Sequence, residues 1–254
     1  EIKNMFKNYF KIAARNLVKN KLFSAINILG LGIGLPFALL SLLQLQSSFE
    51  TDNFHPHSDR IFRIITNEIS TDAGTIKYAS SPYLLTDIKK KDYPIIEKST
   101  RVVRNFGWEM NNRLKTLKVN TLSVEPAFFE IFGLAIQEGS IPIEPNALVI
   151  STAMAKKFFD DINPIGKTLN HPTYGDFIIT GILKSYKKGT QFRSDVMISM
   201  NTYVQMNPES KTTTSWSDLG AYTFVRVIEN SKQESLNQSL AQLSTATNSF
   251  IDSQ

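Results

Sequence analysis

Cysteine is absent from the 254 residues, which excludes disulfide staples and thiolate metal sites alike. Histidine is scarce, with His55, His57 and His171 only, so imidazole-based acid–base chemistry has few members to draw on. Charge is missing altogether between Lys21 and Glu50. A basic surface on the folded part is lacking too. The formal net charge is +5, but residues 1–22 alone carry +5, from Lys3, Lys7, Lys11, Arg15, Lys19 and Lys21 against Glu1. The remainder balances at 22 basic and 22 acidic side chains. Nucleic-acid binding needs a cationic face on the folded domain, so no nucleic-acid partner is expected.

What fills the uncharged gap is apolar. Fourteen of the residues 22–45 are Leu, Ile or Phe. As a helix these 24 residues extend about 36 Å, against a hydrocarbon core of about 30 Å. On the insertion scale their apolar side chains contribute roughly −4 to −8 kcal/mol, which exceeds the costs of Asn27, Pro36 and Gln44. A buried soluble helix and a cleaved signal peptide are the rival readings. The second lacks a small-x-small cleavage site in "QSSFETDNF" after Leu45. A transmembrane helix over 22–46 is the expectation. Gly30, Gly34 and Ala38 repeat at four-residue spacing, the pattern that lets two membrane helices approach closely.

Before the span, Phe6, Phe10, Ala13 and Leu17 recur at steps of three and four. Lys3, Lys7, Lys11, Arg15 and Lys19 form a second stripe. The spacing predicts an amphipathic basic helix over 1–21, suited to an anionic membrane surface. Basic residues precede the run and Glu50 and Asp52 follow it, so the N-terminus is expected in the cytoplasm and the main domain outside.

Beyond residue 52 the pattern is α+β. "DRIFRIITNEI" reads as a strand. Ser81 and Pro82 open a predicted helix carrying Leu84, Leu85 and Ile88, stopped at Pro94. "RVVRNFGWEM" and "LKTLKVNTLSV" read as strands, and "EPAFFEIFG" as a short helix ended by Gly133. A second group follows, with strand "ALVIS", a helix capped by Ser151, and strands "GKTLN" and "FIITGIL" around the turn "HPTYGD". "AYTFVRVI" is a strand, and a helix over 231–251 begins with the capping box Ser231 and Glu234. That last pair is expected to complete the first lobe, made of 52–142 and 215–254, around an inserted lobe at 143–214.

Chemical motifs are thin. "GKT" at Gly166–Thr168 has Asp161 where a phosphate loop needs glycine, and Pro164 in between, so a turn is the better reading. His55 and His57 beside Asp52 and Asp59 are the right residue types for zinc, yet a polar segment belongs where a chain leaves a membrane. Ser151 with Lys156, and Ser185 with Lys188, are Ser–Lys pairs, but a solvated lysine keeps its proton and cannot serve as base. No catalytic, metal or cofactor site is expected. Among Phe106, Trp108, Phe128, Phe129 and Phe132, most are expected in the core and one or two on a partner surface.

The strings "FKNYFKIAARNLVKNKLFSAINILGLGIG" and "FHPHSDRIFRI", followed in order by "VEPAFFEIFGLAIQEG" and "ALVISTAMAKKFFDDINPIGKTL", resemble the start of MacB/FtsX-like ABC transporter permeases. The resemblance covers essentially the whole chain. It implies a first transmembrane helix in a bacterial inner membrane and a two-lobed periplasmic domain, a porter-like βαβ lobe with an inserted sabre-like lobe. It also implies a separate or fused ATPase subunit, a homodimer or heterodimer of permeases, and a periplasmic or outer-membrane partner. The family's further spans and coupling loop are not found before Gln254, so the sequence reads as an N-terminal portion. The alternative is a single-pass anchored sensor of an extracytoplasmic ligand, for which residues 1–22 leave no room for a signalling domain. If the small-residue stripe packs helices, Gly34→Leu weakens assembly of the complete permease; wild-type assembly in detergent would count against it.

Overall fold

A computed structural model describes residues 2–50, 55–70, 74–83, 85, 93–184, 190–211, 218–231 and 233–241. They fall into two units, Glu1–Thr51 and Asp52–Gln254.

The first unit is helical. Helix α1 spans Ile2–Lys19 and α2 spans Lys21–Glu50. Asn20 marks the junction, yet the hydrogen-bond ladder passes through it: Asn20 N–H donates to Asn16 O at 3.0 Å and Ser24 N–H to Asn20 O at 2.9 Å. Within Lys21–Gln46 of α2 an 18-residue stretch reaches a mean hydropathy of 2.1 and is nowhere buried; over the whole of Lys21–Gln46 every residue but Ser24 is exposed. Pro36 lies inside the helix without ending it. The helix runs four residues past the expected end at 46, because Ser47, Ser48, Phe49 and Glu50 include no breaker.

The second unit is built on one mixed sheet of nine strands. In chain order the strands are β1 (Ile61–Ile64), β2 (Thr66–Ser70), β3 (Gly74–Tyr78), β4 (Ile96–Asn111) and β5 (Thr116–Val124). Then come α3 (Pro126–Phe132), β6 (Ile136–Gly139), β7 (Ala147–Ser151), α4 (Thr152–Phe159), β8 (Thr168–His171) and β9 (Gly175–Leu183). The rest are β10 (Val196–Ser199), α5 (Met200–Met206), β11 (Tyr222–Val227) and a helix α6 over 233–241. The sheet runs β1-β11-β4-β5-β10-β7-β9-β6, and β8 pairs with both β4 and β9. Two neighbour pairs are parallel, β5 with β10 and β7 with β9. Strands β2 and β3 form a separate hairpin.

Period-two alternation sorts the core onto two faces. Val102, Leu122, Val124, Val149, Met197 and Phe224 point to α3 and its Phe128 and Phe132. Leu148, Ile150, Val196 and Ile198 point the other way, to Met154 and Phe158 of α4. Ile96, Val225 and Val227 meet Leu236 of α6, with Leu240 half-buried beside it. The segment 143–214 supplies β7 to β10, and β10 pairs with β5 from Val196↔Thr121 to Ser199↔Val124. The sheet therefore runs unbroken across the lobe boundaries expected from the sequence.

Several elements depart from the sequence reading. The single strand expected over 59–69 is three pieces: a 3-10 turn at Ser58–Arg60, β1 in the main sheet, and β2 in the hairpin. No helix starts at Ser81, which instead bridges Ala221, with Leu85 N–H closing a turn on Pro82 O at 2.9 Å. The rest of that expected helix, residues 84 and 86–92, lies outside the described residues, as do 242–251 of the C-terminal helix. Strands β6 and β10 and helix α5 were not expected at all, since pieces of 4 and 7 residues carry too little period to stand out.

Leu236 is 3% exposed, so Leu236→Ala is expected to cost about 2–4 kcal/mol through lost burial and a cavity. Half-buried Leu240→Ala should cost clearly less. Urea unfolding midpoints measure both, and equal shifts would contradict the placement of α6.

Candidate functional site

On α1, Lys7, Lys11, Arg15 and Lys19 are exposed. Lys3 belongs to the same helix, but its side chain lies outside the described residues. Steps of four advance the helix by about 400°, so the stripe drifts by about 40° per step and stays on one side. Gly30, Gly34 and Ala38 on α2 are exposed as well. A Cβ added at Gly30, Gly32 or Gly34 would meet no atom within 4 Å. Gly32 stands about 200° from Gly30, so α2 is thin on two sides over this turn, not only along the four-residue stripe. Such positions let a second backbone approach closely.

The polar segment "HPHSDR" is structural. His55 is 4% exposed, and its Nδ1 donates to Phe132 O at 2.7 Å, one of the last carbonyls of α3, which have no partner within the helix. Its ring lies edge-on to Phe132 at 5.2 Å between centroids. Pro56 fills the space beside Gly133, where an added Cβ would come 2.6 Å from the proline ring. Gly133 has φ 61° and ends α3 with Leu134 N–H bonded to Phe129 O at 2.9 Å. His57, the other candidate ligand, is exposed on a left-handed backbone at φ 60°; Asp52 lies outside the described residues. Among the described residues no three His, Asp or Glu side chains converge on a metal-sized site.

Next to this segment lies a charge network that the sequence reading missed. Glu97 of β4 accepts from Arg226 of β11 at 3.2 Å (Nε) and 2.8 Å (Nη2). Arg60 reaches Glu97 at 3.5 Å and Val227 O at 3.3 Å. The Arg226 hydrogen bond holds the Glu97 carboxyl below its ordinary value against a desolvation that opposes it. Lys98 pairs with Glu130 of α3. A second clamp joins Arg101 to Glu125 by 3.0 and 2.7 Å bonds, which takes Glu125 away from capping α3. The partners are up to 129 residues apart, so no local pattern announces them.

Of the five aromatics, Trp108, Phe128, Phe129 and Phe132 are buried, and Phe106 alone is exposed, at 85%. The cause is a bulge. The β4–β5 register slips between Asn105 and Trp108, with Gly107 at φ 71°, and the extra residue turns Phe106 outward.

The remaining motifs have ordinary structural roles. Gly166 N–H is bonded to Ile179 O at 2.8 Å, Lys167 N–H to Pro164 O at 3.0 Å, and the Asn163 side chain accepts from Ile165 N–H at 2.9 Å. "GKT" therefore closes a turn into β8, as its Pro164 predicted. Ser151 Oγ caps α4 by accepting from Met154 N–H at 3.2 Å. Ser185 and Lys188 lie outside the described residues. His171 is 9% exposed beside Trp108 and Tyr174. Its Nδ1 accepts from Thr173 N–H at 3.1 Å and Tyr174 N–H at 3.3 Å, so the ring is held neutral, and burial pushes its pKa down from the ordinary 6.5.

Comparison with known proteins fits this architecture. The MacB-like periplasmic core domain family matches residues 24–243, and the chain belongs to that family. A crystal structure of a permease-protein domain from Porphyromonas gingivalis is similar at 22% identity and TM-score 0.66, covering 76% of this chain and 83% of that one. The periplasmic region of MacB from Actinobacillus actinomycetemcomitans aligns at 17% identity and TM-score 0.47, over 64% of this chain and 75% of that one. The extracellular domain of the ABC-type transporter YknZ from Gram-positive bacteria aligns at 12% and 0.47, over 70% and 88%. No curated protein matches the sequence.

His171 gives a pH signature. Its folded pKa is depressed, so its contribution to stability is complete above 6.5 and is lost as pH falls from there through the folded value. His171→Asn keeps a side-chain acceptor near the Nδ1 position without titrating. The expected result is a flatter stability–pH curve below 6.5 in the variant; parallel wild-type and variant curves would refute the assignment.

Proposed function

We propose that this chain is the membrane-anchored, periplasmic part of an ABC transporter permease. In this reading α2 crosses the bacterial inner membrane once, α1 lies on the cytoplasmic surface, and the mixed sheet stands in the periplasm. The observation that carries the proposal is the extent of the family match. It begins at Ser24, inside α2, and runs to 243, so the apolar helix and the outer domain form one family unit. The charge asymmetry supports the orientation: the cations of α1 precede the span and Glu50 follows it.

The chain's own role is then mechanical and not catalytic. An ATPase subunit hydrolyses the nucleotide, and the outer domain passes on the resulting movement to substrate or to a periplasmic partner. Gly30, Gly34 and Ala38 serve contact with another membrane helix, in a dimer of permeases or within one permease. Lys3, Lys7, Lys11, Arg15 and Lys19 face anionic headgroups, each contributing about 1 kcal/mol near the surface.

Proteinase K added to spheroplasts tests the orientation. The outer domain should be degraded while an N-terminal epitope tag survives; protection of residues 55–241 would overturn the proposal. Co-purification of an ATPase with the tagged permease tests the partner.

A further inference from the structure

Strand β1 lies at one edge of the sheet, and its residues Ile61 and Arg63, two apart, stand on the same face. Arg63 is directly across from Phe224 of β11. A cavity of about 290 Å³ opens on this face. Its apolar wall is Ile61, Phe132 of α3 and Phe224; its polar lining includes Arg63, Ser58 and Gln191.

The wall is preformed. Phe132, Phe192 and Phe224 are buried and pack as a trio. Their centroids are 4.4 Å apart for Phe132–Phe192 and 5.2 Å for each of the other two pairs. Rings locked in this way cannot swing into the cavity without breaking the packing under α3. The charge around the cavity is unbalanced as well. Arg60 and Arg226 share the one carboxylate of Glu97, and Lys98 is matched by Glu130. Arg63 is exposed, and among the described residues its guanidinium has no ion pair and no hydrogen bond. Three guanidinium groups therefore stand against one carboxylate at this end of the sheet.

We propose that this cavity binds a small carboxylate carrying an apolar substituent, with the carboxylate on Arg63 and the substituent against Ile61, Phe132 and Phe224. The excess positive charge selects for an anion. A guanidinium fork holds a carboxylate through two parallel hydrogen bonds, and burial of the substituent adds the non-directional part. The cavity is at the small end of the range of about 300–1,000 Å³ for ligand sites, so the substituent is a short chain or a single ring. Every residue of the site belongs to the unit Asp52–Gln254, and the inference does not rest on the reading of α2 as a span.

The test uses the full chain in phosphatidylcholine nanodiscs, with the isoleucine δ-methyl groups labelled with carbon-13. The Ile61 signal, assigned by its loss in Ile61→Val, reports the cavity. The Ile150 signal, from the buried α4 side of the sheet, reports the fold. Hexanoate is titrated, then hexanol, which has the tail without the charge, and acetate, which has the charge without the tail.

Hexanoate should shift Ile61 saturably and leave Ile150 in place, with a midpoint in the millimolar range that so few ligand atoms can reach. Hexanol and acetate should each bind at least about fivefold more weakly. Arg63→Gln should weaken hexanoate by about fivefold or more, to the level of hexanol. Arg63→Lys keeps the charge without the fork and should fall between the two. An Ile61 signal that ignores hexanoate, or that answers hexanol or acetate equally, would overturn the site. So would an unchanged midpoint in Arg63→Gln. Should Arg63→Gln displace the Ile150 signal, the comparison of the three probes on the wild type decides alone.

Discussion

A helix that is apolar on every side cannot hide from water by turning. Residues on α2 from Leu22 to Leu45 leave their large apolar side chains half or more exposed. An amphipathic helix solves this problem by burying one stripe; α2 has no polar side to leave outside. Its backbone donors and acceptors are satisfied internally apart from the gap at Pro36, which is the condition for standing in hydrocarbon.

The outer unit obeys a different constraint. A mixed sheet with helices on both faces must alternate its apolar residues along every strand, and β7 shows this clearly. Leu148 and Ile150 face α4, while Val149 between them faces α3. The strands at the centre are therefore nearly continuous apolar runs, as expected for a sheet covered on both sides. Arg60, Glu97 and Arg226 gather where the chain enters the sheet, and there they connect strands. Glu97 is partly desolvated and doubly bonded to Arg226. Its value is geometric, because a bidentate pair fixes direction as well as distance.

Helices and strands with strong local signals were legible from residues alone. Ser151 before "TAMAKKFF" and Glu125-Pro126 to Gly133 around "AFFEIF" gave α4 and α3 their observed limits. Strands β4, β5, β9 and β11 were legible from their apolar patterns. The hairpin β2–β3 was not, because Ile61 to Ile69 is one β-rich run and only the pairing partners divide it. Ser81 and Pro82 mimic a helix start, but the backbone there is claimed by Ala221. Tertiary pairing overrides a cap signal that costs only about 1 kcal/mol to ignore.

For the site the division is sharper. The sequence by itself determined the long apolar helix, the row of cations on α1 and the spacing of Gly30, Gly34 and Ala38, because each depends on spacing along one helix. It also disposed of "GKT", since Pro164 and Asp161 are incompatible with a phosphate loop whatever the fold. Only the tertiary structure decided what "HPHSDR" does, which of five aromatics is exposed, and that Arg60, Glu97 and Arg226 meet. Those outcomes depend on strand register and on a one-residue bulge at Gly107. Register is a property of pairs of strands, and residues 129 positions apart carry no sign of each other until the sheet has formed.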